Sequence, residues 1–361
     1  MSLAPYMQWA KQHVRPRVNL AGSNLLPCEL ADLPGAREAL ELHGDNDNGY
    51  RPLVEAISST YGVTTDMVAT AQGTSGANFL VFAALVKAGD DVLVERPGYD
   101  PLMGPPRLLG ASVIRFERRF EDRYRLDPDA VRAAITPRTT LVVITNAHNP
   151  TGVVAADRDV DEIGLIAARH GARVLVDEVY LDSAAAGVTR PAATRSPVFI
   201  STSSLTKSYG LAGLRCGWVL AAPDVAEQVR RARDIVDGTG VFPAEGLSVL
   251  AFSQLDQLSA RARRILTANG RVVREFLVSR PDLDSVAPAA GTVVFPRIRG
   301  VDDAGPFLET LARDFDTGVV PGRFFQAPAH FRLGFGGRAD MLAEGLAQLG
   351  KALDRMPSQS S

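Results

Sequence analysis

Short apolar runs rich in β-branched residues alternate with helical patterns through the middle of the chain. Candidate strands lie at residues 92–94, 112–116, 140–144, 173–176 and 198–201. Between them, Asp127 and Pro128 form an N-cap and first helical position, and another helix is predicted over residues 157–169. Because this alternation is typical of parallel strands joined by crossover helices, we predict an α/β fold with a mainly parallel sheet flanked by helices.

The pattern changes towards both ends of the chain, which predicts a second, smaller domain. After Pro223 the sequence is mainly helical, with its longest helix predicted over residues 258–280. Short strands are predicted near 291–296 and 330–335, and no strand–helix alternation precedes Gly49. A length of 361 residues allows about two domains. We predict a large domain over 49–275 and a smaller α+β domain formed from both termini, 1–48 and 276–361.

Charge, hydropathy and cysteine usage exclude several classes of partner. The formal net charge is −2, so the chain lacks the basic surface expected of a nucleic-acid-binding protein. The apolar run at residues 79–86 is far shorter than the roughly 20 residues that span a bilayer, and the N-terminus lacks a signal-peptide pattern. Cys28 and Cys216 form neither a disulfide framework nor a metal-ligand spacing. We therefore expect a cytoplasmic protein with no metal, membrane or nucleic-acid partner.

Polar side chains follow the predicted strands at the points where the strands end. These residues are Tyr99, Asn149, Asp177, Tyr180 and Lys207. In an open α/β sheet, ligands bind beyond the carboxyl ends of the strands, so we predict that the five side chains converge on one edge. Simpler structural explanations stay open, because Asp177 can cap the next segment and the NPTG sequence at Asn149 is favourable turn chemistry.

A second pattern indicates an anion site. The sequence AQGTSGAN at residues 71–78 joins small residues to the start of an apolar helix, and a helix N-terminus offers free N–H groups to a phosphate. Ser204 and Arg215 flank Lys207 in the stretch SLTKSYGLAGLR, where the arginine supplies a permanent positive charge. The alternatives are a tight helix start at 71–78 and a surface cation at Arg215.

Six motifs occur in an order that resembles one enzyme family. They are GTSGA at 73–77, PGY at 97–99, NPTG at 149–152, DEVY at 177–180, SLTKSYGLAGLR at 204–215 and FRLGFG at 331–336. Together they cover nearly the whole chain, and they resemble the fold-type I, pyridoxal-phosphate-dependent aminotransferases of class I/II. The resemblance implies an enzyme whose cofactor is pyridoxal 5′-phosphate.

The resemblance assigns roles around the cofactor ring. It implies that Lys207 forms the internal aldimine with the cofactor aldehyde and then acts as base and acid at the substrate Cα. Asp177 is implied to keep the pyridine nitrogen protonated, so that the ring can store the charge left at Cα. Asn149 and Tyr180 are implied to hydrogen-bond the phenolic oxygen, and Tyr99 to stack on the ring. Lys207, Asp177 and Tyr99 are thus the expected catalytic residues.

The resemblance also assigns the two ends of the site. The residues implied to hold the phosphate are Thr74, Ser75, Ser204 and Arg215. Arg332 is implied to bind the substrate α-carboxylate through a bidentate contact, with Asn149 as a further substrate-binding residue. Gly22, Ser23 and Asn24 lie where the family often has a short substrate-contacting strand, and they are further candidates.

The chain departs from the family in one segment. The resemblance implies a homodimer in which a tyrosine reaches the cofactor phosphate of the partner subunit, but the corresponding position is Gly44. His43 and Asn46 are candidate replacements for that tyrosine. The alternative is a polar loop that leads into a helix at about Arg51.

Three functions are compared for these residues. The first is transfer of an amino group between an L-amino acid and a 2-oxo acid, and the second is lyase, decarboxylase or cyclase chemistry with the same cofactor. Arg332 argues against decarboxylation, because it would retain the substrate carboxylate. A non-catalytic aminotransferase-like domain is the third, and the presence of Lys207, Asp177, Asn149 and Arg215 argues against it. The sequence identifies neither the amino acid nor the pathway.

Overall fold

The computed structural model describes residues 4–13, 16–183 and 190–356. Each predicted segment has a part that lies outside the described residues. These parts are residues 1–3 and 14–15 of segment 1–48, residues 184–189 of segment 49–275, and residues 357–361 of segment 276–361. The strands are β1 Val18–Asn19, β2 Val68–Gln72, β3 Asp91–Arg96, β4 Ser112–Glu117, β5 Thr139–Thr145, β6 Arg173–Asp177, β7 Phe199–Ser204, β8 Cys216–Leu220, β9 Leu283–Asp284, β10 Val293–Val294, β11 Arg297–Ile298, β12 Thr317–Gly318, β13 Val320–Pro321 and β14 Phe331–Gly334. The helices are α1 Pro5–Gln12, α2 Arg51–Tyr61, α3 Gly73–Leu85, α4 Gly104–Leu108, α5 Pro128–Ala134, α6 Asp157–Arg169, α7 Leu205–Tyr209, α8 Pro223–Val236, α9 Phe242–Ser253, α10 Leu255–Val278, α11 Gly305–Asp314 and α12 Ala339–Asp354.

One sheet dominates the described part of the chain, with the strand order β2-β8-β7-β6-β5-β3-β4. Neighbours among β3, β4, β5, β6 and β7 are parallel, whereas β8 runs antiparallel to both β7 and β2. The sheet is therefore mainly parallel, and helices cover it on both faces. The predicted α/β class is confirmed.

Alternate residues of the central strands pack against opposite layers of helices. In β5, Leu141 and Val143 belong to an apolar cluster with residues of α3 and α8. Val142 and Ile144 belong to a second cluster, with residues of α5 and α6. Because both faces are buried, the strands are continuous apolar runs rather than alternating ones. This double burial places the strand ends, and the loops that follow them, at defined positions on one edge.

The two ends of the chain pack together. β1 pairs in parallel with β12, and Val18 and Leu20 share an apolar cluster with Leu333 and Leu346. The antiparallel sheet β10-β14-β13 and the β9–β11 pair lie in the same C-terminal part. α10 continues across the predicted boundary at residue 275, and the boundaries of the two domains stay a prediction. Within the described ranges, no helix has the length and apolar character needed to cross a membrane.

Candidate active site

The carboxyl ends of β5, β6 and β7 bring three predicted site residues to one edge of the sheet. Asp177 is the last residue of β6 and pairs in register with Thr145 on β5 and Thr202 on β7. Asn149 follows β5, and its backbone N–H donates to Thr145 Oγ1 at 2.9 Å. Lys207 lies in α7, which directly follows β7. The topology thus brings together an amide, a carboxylate and an amine.

Asp177 is buried and accepts two hydrogen bonds. Asn78 Nδ2 donates to its Oδ2 at 2.8 Å, and the backbone N–H of Val179 donates to its Oδ1 at 3.2 Å. Asn78 is itself oriented by Thr202, whose hydroxyl donates to Asn78 Oδ1 at 2.6 Å. Burial raises the pKa of Asp177 to about 6, and the hydrogen bond from Asn78 opposes that rise. Near pH 7 Asp177 is a desolvated carboxylate that a nearby cation would stabilise.

Lys207 is half-buried, and two neutral acceptors hold its amine. Nζ donates to Ser23 Oγ and to Asn24 Oδ1, both at 2.7 Å. Among the residues that the structure describes, no carboxylate forms an ion pair with this amine. Burial, with a further contribution from the charge of Arg332, lowers the pKa of Lys207 to about 7, although Asp177 acts in the opposite direction. A large share of the amine is therefore unprotonated and nucleophilic at neutral pH.

The start of α3 packs against the segment that follows α7. Thr74 Oγ1 donates to Ser204 Oγ at 2.8 Å, which joins the first turn of α3 to the N-cap of α7. Gly73 has a φ of +68°, and its N–H donates to Arg215 O at 2.7 Å. A Cβ at Gly73 would lie 2.4 Å from Arg215 Nη2, so glycine leaves the room that the guanidinium occupies.

Arg215 is an exposed cation at this helix start. Its guanidinium donates to two backbone carbonyls, Gln72 O at 3.3 Å and Ala212 O at 3.4 Å. No carboxylate in the described part of the chain forms an ion pair with it. Ser75 is exposed in the first turn of α3. The positive charge of Arg215 and the free N–H groups of α3 together favour an anion at this position.

Arg332 on β14 is a fully buried cation with no carboxylate partner among the described residues. Nη1 donates to Asn149 Oδ1 at 3.1 Å, and Nη2 donates to the Tyr6 hydroxyl at 2.7 Å. Nη2 also lies 3.4 Å from Ala21 O, one residue before the exposed Gly22, and Nε has no hydrogen-bond partner. Because a buried charge is unfavourable unless it is paired, this guanidinium favours a carboxylate ligand.

Tyr99 and Tyr180 complete the predicted set. The Tyr99 ring contacts the Tyr6 ring edge-on, with 5.9 Å between centroids, and its hydroxyl donates to Met7 Sδ at 3.7 Å. Tyr180 is buried, and its hydroxyl donates to Ser23 O at 3.4 Å. Burial raises the pKa of both hydroxyls. Both therefore stay protonated at neutral pH and remain hydrogen-bond donors.

The residues predicted to replace the cross-subunit tyrosine take different positions. His43 is exposed, whereas Asn46 is buried and its amide donates to Gly240 O at 3.0 Å and to Glu245 Oε2 at 2.6 Å. Asn46 is thus engaged inside its own chain, which argues against the predicted contact with a partner subunit. α2 begins at Arg51, as the alternative of a polar loop before a helix expects. His43 remains a candidate.

Comparison with known proteins identifies the family. The sequence profile described as aminotransferase class I and II matches residues 34–349. The chain belongs to this family. Class I and II aminotransferases depend on pyridoxal phosphate, and the chain is accordingly a pyridoxal-phosphate-dependent transaminase.

Individual relatives of this aminotransferase include one synthase and several aminotransferases. The chain is 32% identical over 290 residues to capreomycidine synthase from Streptomyces vinaceus, and the match covers 80% of this chain and 74% of that protein. It is 22% identical to an aspartate aminotransferase from Geobacillus stearothermophilus, with 78% and 75% covered. A PLP-dependent aminotransferase from Streptococcus suis has a TM-score of 0.92 at 27% identity, with both chains fully covered. N-succinyldiaminopimelate aminotransferase from Mycobacterium tuberculosis has a TM-score of 0.85 at 25% identity, with 93% of each chain covered.

The site residues of this aminotransferase fit the cofactor of the family. Arg215 at the start of α3 suits a phosphate, since no carboxylate among the described residues pairs with it. The desolvated carboxylate of Asp177 suits a protonated ring nitrogen, and the partly neutral amine of Lys207 suits an aldehyde. Each part of the cofactor therefore has a complementary group in the chain.

Two polar residues that organise the aminotransferase site are not among the predicted site residues. Asn78 is a buried polar residue directly before the apolar part of α3, and that polarity was the available signal. Tyr6 lies in α1, 326 residues before Arg332, and no local pattern connects the two.

Proposed function

We propose that this aminotransferase transfers an amino group between an L-amino acid and a 2-oxo acid, with Lys207 as the residue that carries the cofactor. The observation that supports this most directly is a partly neutral amine, Lys207, near a buried guanidinium, Arg332, that has no counter-ion in the described chain. The two are close enough for the charge of Arg332 to lower the pKa of Lys207. A carboxylate bound to Arg332 would therefore place an amino acid near the Lys207 amine.

The same geometry supports a set of proposed cofactor contacts. When bound, pyridoxal 5′-phosphate supplies an aldehyde that condenses with amines and a ring that withdraws electrons from the substrate Cα. Asp177 would hold the proton on the ring nitrogen, because its desolvated carboxylate is stabilised by a cation. Asn149 and Tyr180 would donate to the phenolic oxygen, and Tyr99 would pack on the ring face. The residues proposed to bind the phosphate are Thr74, Ser75, Ser204 and Arg215.

Lys207 is the proposed proton carrier at the substrate Cα. A pKa of about 7 allows its amine both to accept a proton and to return it at neutral pH. Arg332 and Asn149 hold the substrate carboxylate during that exchange, which fixes the position of Cα relative to Nζ. Retention of the carboxylate favours transamination over decarboxylation.

Cyclisation or elimination on an amino acid is the second candidate function, and one observation favours it. The relative at 32% identity is a capreomycidine synthase, which is named as a synthase and not as an aminotransferase. The cofactor-binding residues serve both functions equally well. The two candidates therefore differ in the product that leaves the enzyme.

A half-reaction screen with cofactor-loaded enzyme tests the proposal. Stoichiometric enzyme is mixed with one amino acid at a time, and the 2-oxo acid, ammonia and carbon dioxide are quantified alongside the absorption band of the lysine-bound cofactor. We expect one 2-oxo acid per subunit, loss of the band, and no ammonia or carbon dioxide. Release of ammonia, or a cyclic product without a 2-oxo acid, would assign the second function instead, whereas release of carbon dioxide would indicate decarboxylation.

Lys207→Ala is the control for the proposed lysine. This variant lacks the amine, so the borohydride-reducible band of the cofactor-loaded enzyme should be absent. A reducible band that persists in Lys207→Ala would show that another amine carries the cofactor.

We further propose that the enzyme is a cytoplasmic homodimer of two-domain subunits. The support for the dimer is membership of the aminotransferase family, whose active sites usually lie at a subunit interface. The small domain would comprise 1–48 and 276–361, and the large domain 49–275. Light scattering during size-exclusion chromatography should give twice the subunit mass of 38.6 kDa, and a monomer mass would contradict the assembly.

A further inference from the structure

The N-terminal segment 20–28 supplies both acceptors of the Lys207 amine. Nζ donates to Ser23 Oγ and to Asn24 Oδ1 at 2.7 Å each, across 184 and 183 residues of sequence. Neither acceptor is charged; Ser23 is half-buried and Asn24 is exposed. Two contacts of this length, from neighbouring residues, fix the direction in which Nζ points.

The segment is held by hydrogen bonds that do not involve Lys207. The carbonyl of Ser23 accepts from Thr292 Oγ1 at 2.7 Å and from the Tyr180 hydroxyl at 3.4 Å. Further along, the backbone N–H of Leu26 donates to Gly336 O at 2.6 Å. The two acceptors of Nζ are therefore part of a preorganised structure and do not depend on the lysine for their position.

Two glycines allow the segment to pass close to β14 and the residues after it. A Cβ at Gly334 would lie 1.7 Å from Gly22 O, and a Cβ at Gly336 would lie 2.7 Å from Asn24 O. A larger residue at either position would displace the segment and, with it, the acceptors of the lysine. The FRLGFG sequence thus positions these acceptors as well as Arg332.

We propose that Ser23 and Asn24 are positioning residues that hold the amine of Lys207, whenever it is not joined to the cofactor, towards the side of the site where Arg332 binds the substrate. The inference rests on the proposed function. The same short segment contacts both ends of this space, because Ala21 O lies 3.4 Å from Arg332 Nη2 while Ser23 and Asn24 contact Nζ. The segment therefore sets the position of Nζ relative to the carboxylate site.

Neutral acceptors suit this task. The charged groups that act on Lys207 are Arg332, Asp177 and Arg215, two cations and one anion. A hydroxyl and an amide give the amine a direction without adding a second anion, which would hold the proton on Nζ. The amine is therefore held in place while it remains able to lose its proton.

Asn24→Asp tests the inference, because it exchanges a neutral acceptor for a charged one of the same shape. If Asn24 holds Nζ, the new carboxylate raises the pKa of Lys207 by about one unit or more. Acylation of Lys207 by acetic anhydride, followed by mass spectrometry in the cofactor-free full-length protein, should then show a midpoint shifted upward from about 7. The pH profile of kcat should shift in the same direction. Gln228→Glu, at an exposed position of α8, is the matched control and should shift neither.

A Ser23→Ala and Asn24→Ala double variant tests positioning without a change of charge. We expect kcat to fall about tenfold while KM stays within about twofold, because the lost hydrogen bonds act on Nζ and not on the substrate. Ser23→Thr keeps the hydroxyl and should retain most of the rate.

Two results would overturn the inference: an acylation midpoint that stays near its wild-type value in Asn24→Asp, or an unchanged kcat in the double variant. Failure of the proposed function looks different, because the wild-type enzyme would then convert no amino acid to a 2-oxo acid. The two failures are therefore distinguishable in the same set of measurements.

Discussion

Replacement of Asp177 by asparagine should stabilise the cofactor-free enzyme. Burial raises the pKa of Asp177 from 3.8 to about 6, a shift of about two units. At about 1.4 kcal/mol per unit, the charge destabilises the fold by about 3 kcal/mol at pH 7. Asparagine removes that charge and still accepts from Asn78, but it loses the hydrogen bond from the Val179 N–H, worth about 1 kcal/mol. The net expectation is about 2 kcal/mol of added stability.

The pH dependence of this effect has a defined sign. The folded pKa of Asp177 lies above the unfolded value, so the charge destabilises the fold fully above about pH 6 and not at all below about pH 4. The advantage of Asp177→Asn should therefore be largest at about pH 8 and should shrink as the pH falls through this window. Urea unfolding of cofactor-free protein at fixed concentration, followed by tryptophan fluorescence across this pH range, measures the difference.

Asp159 is the matched control, because it is also buried but its pKa is lowered by the hydrogen bond from Arg125. Asp159→Asn should therefore destabilise the protein, and more so as the pH rises. A variant Asp177→Asn that is less stable than wild type at about pH 8, or a stability difference that does not depend on pH, would refute the expected effect of the buried charge.

Asp177→Asn should also lose most turnover, since it lacks the charge proposed to hold the proton on the ring nitrogen. Near-normal turnover of Asp177→Asn would remove that role.

Two further substitutions test the ends of the site. Gly73→Ala forces a Cβ to within 2.4 Å of Arg215 Nη2 and should displace the guanidinium. Cofactor affinity, measured by fluorescence titration, should therefore fall about tenfold or more. An unchanged affinity would remove Arg215 from the phosphate site. Tyr6→Phe removes the hydroxyl that accepts from Arg332 Nη2, so steady-state kinetics should show KM for the amino acid raised about three- to tenfold with kcat little changed. A fall in kcat at unchanged KM would instead place Tyr6 in the chemical step.

The strands buried on both faces were the most predictable part of the fold. Residues 140–144 and 173–176 were predicted as strands, and β5 and β6 extend them by one or two residues. Helices on both sides require a continuous apolar run, which is visible without any knowledge of the neighbours. β2 and β8 were not predicted, because neither shows a clear apolar run. β2 contains small and polar residues, and β8 begins directly after Arg215.

The end of β7 shows why functional strand ends escape prediction. The strand was predicted to end at residue 201, but it continues through Thr202, Ser203 and Ser204, which are buried polar residues. Polar runs of this kind normally indicate a loop, because a buried hydroxyl needs a partner. In this fold the site supplies partners: Thr202 donates to Asn78, and Ser204 accepts from Thr74.

The same distinction applies to the site itself. Asn149, Asp177 and Lys207 could be grouped from the sequence, since parallel topology determines where strand ends meet. Asn78 and Tyr6 could not, because their contacts depend on how α3 and α1 pack against distant parts of the chain. Residues that hold other residues in place leave weaker sequence patterns than residues at strand ends.

Burial moves the pKa values of Asp177 and Lys207 towards each other, to about 6 and about 7. The hydrogen bond from Asn78 limits the rise at Asp177, and the charge of Arg332 adds to the fall at Lys207. The lowering of the Lys207 pKa by Arg332 depends on Arg332 having no counter-ion, and no carboxylate among the described residues supplies one. A substrate carboxylate that neutralises Arg332 would therefore raise the pKa of Lys207. Binding of the substrate would then make the amine a stronger base at the step where it is proposed to take the proton from Cα.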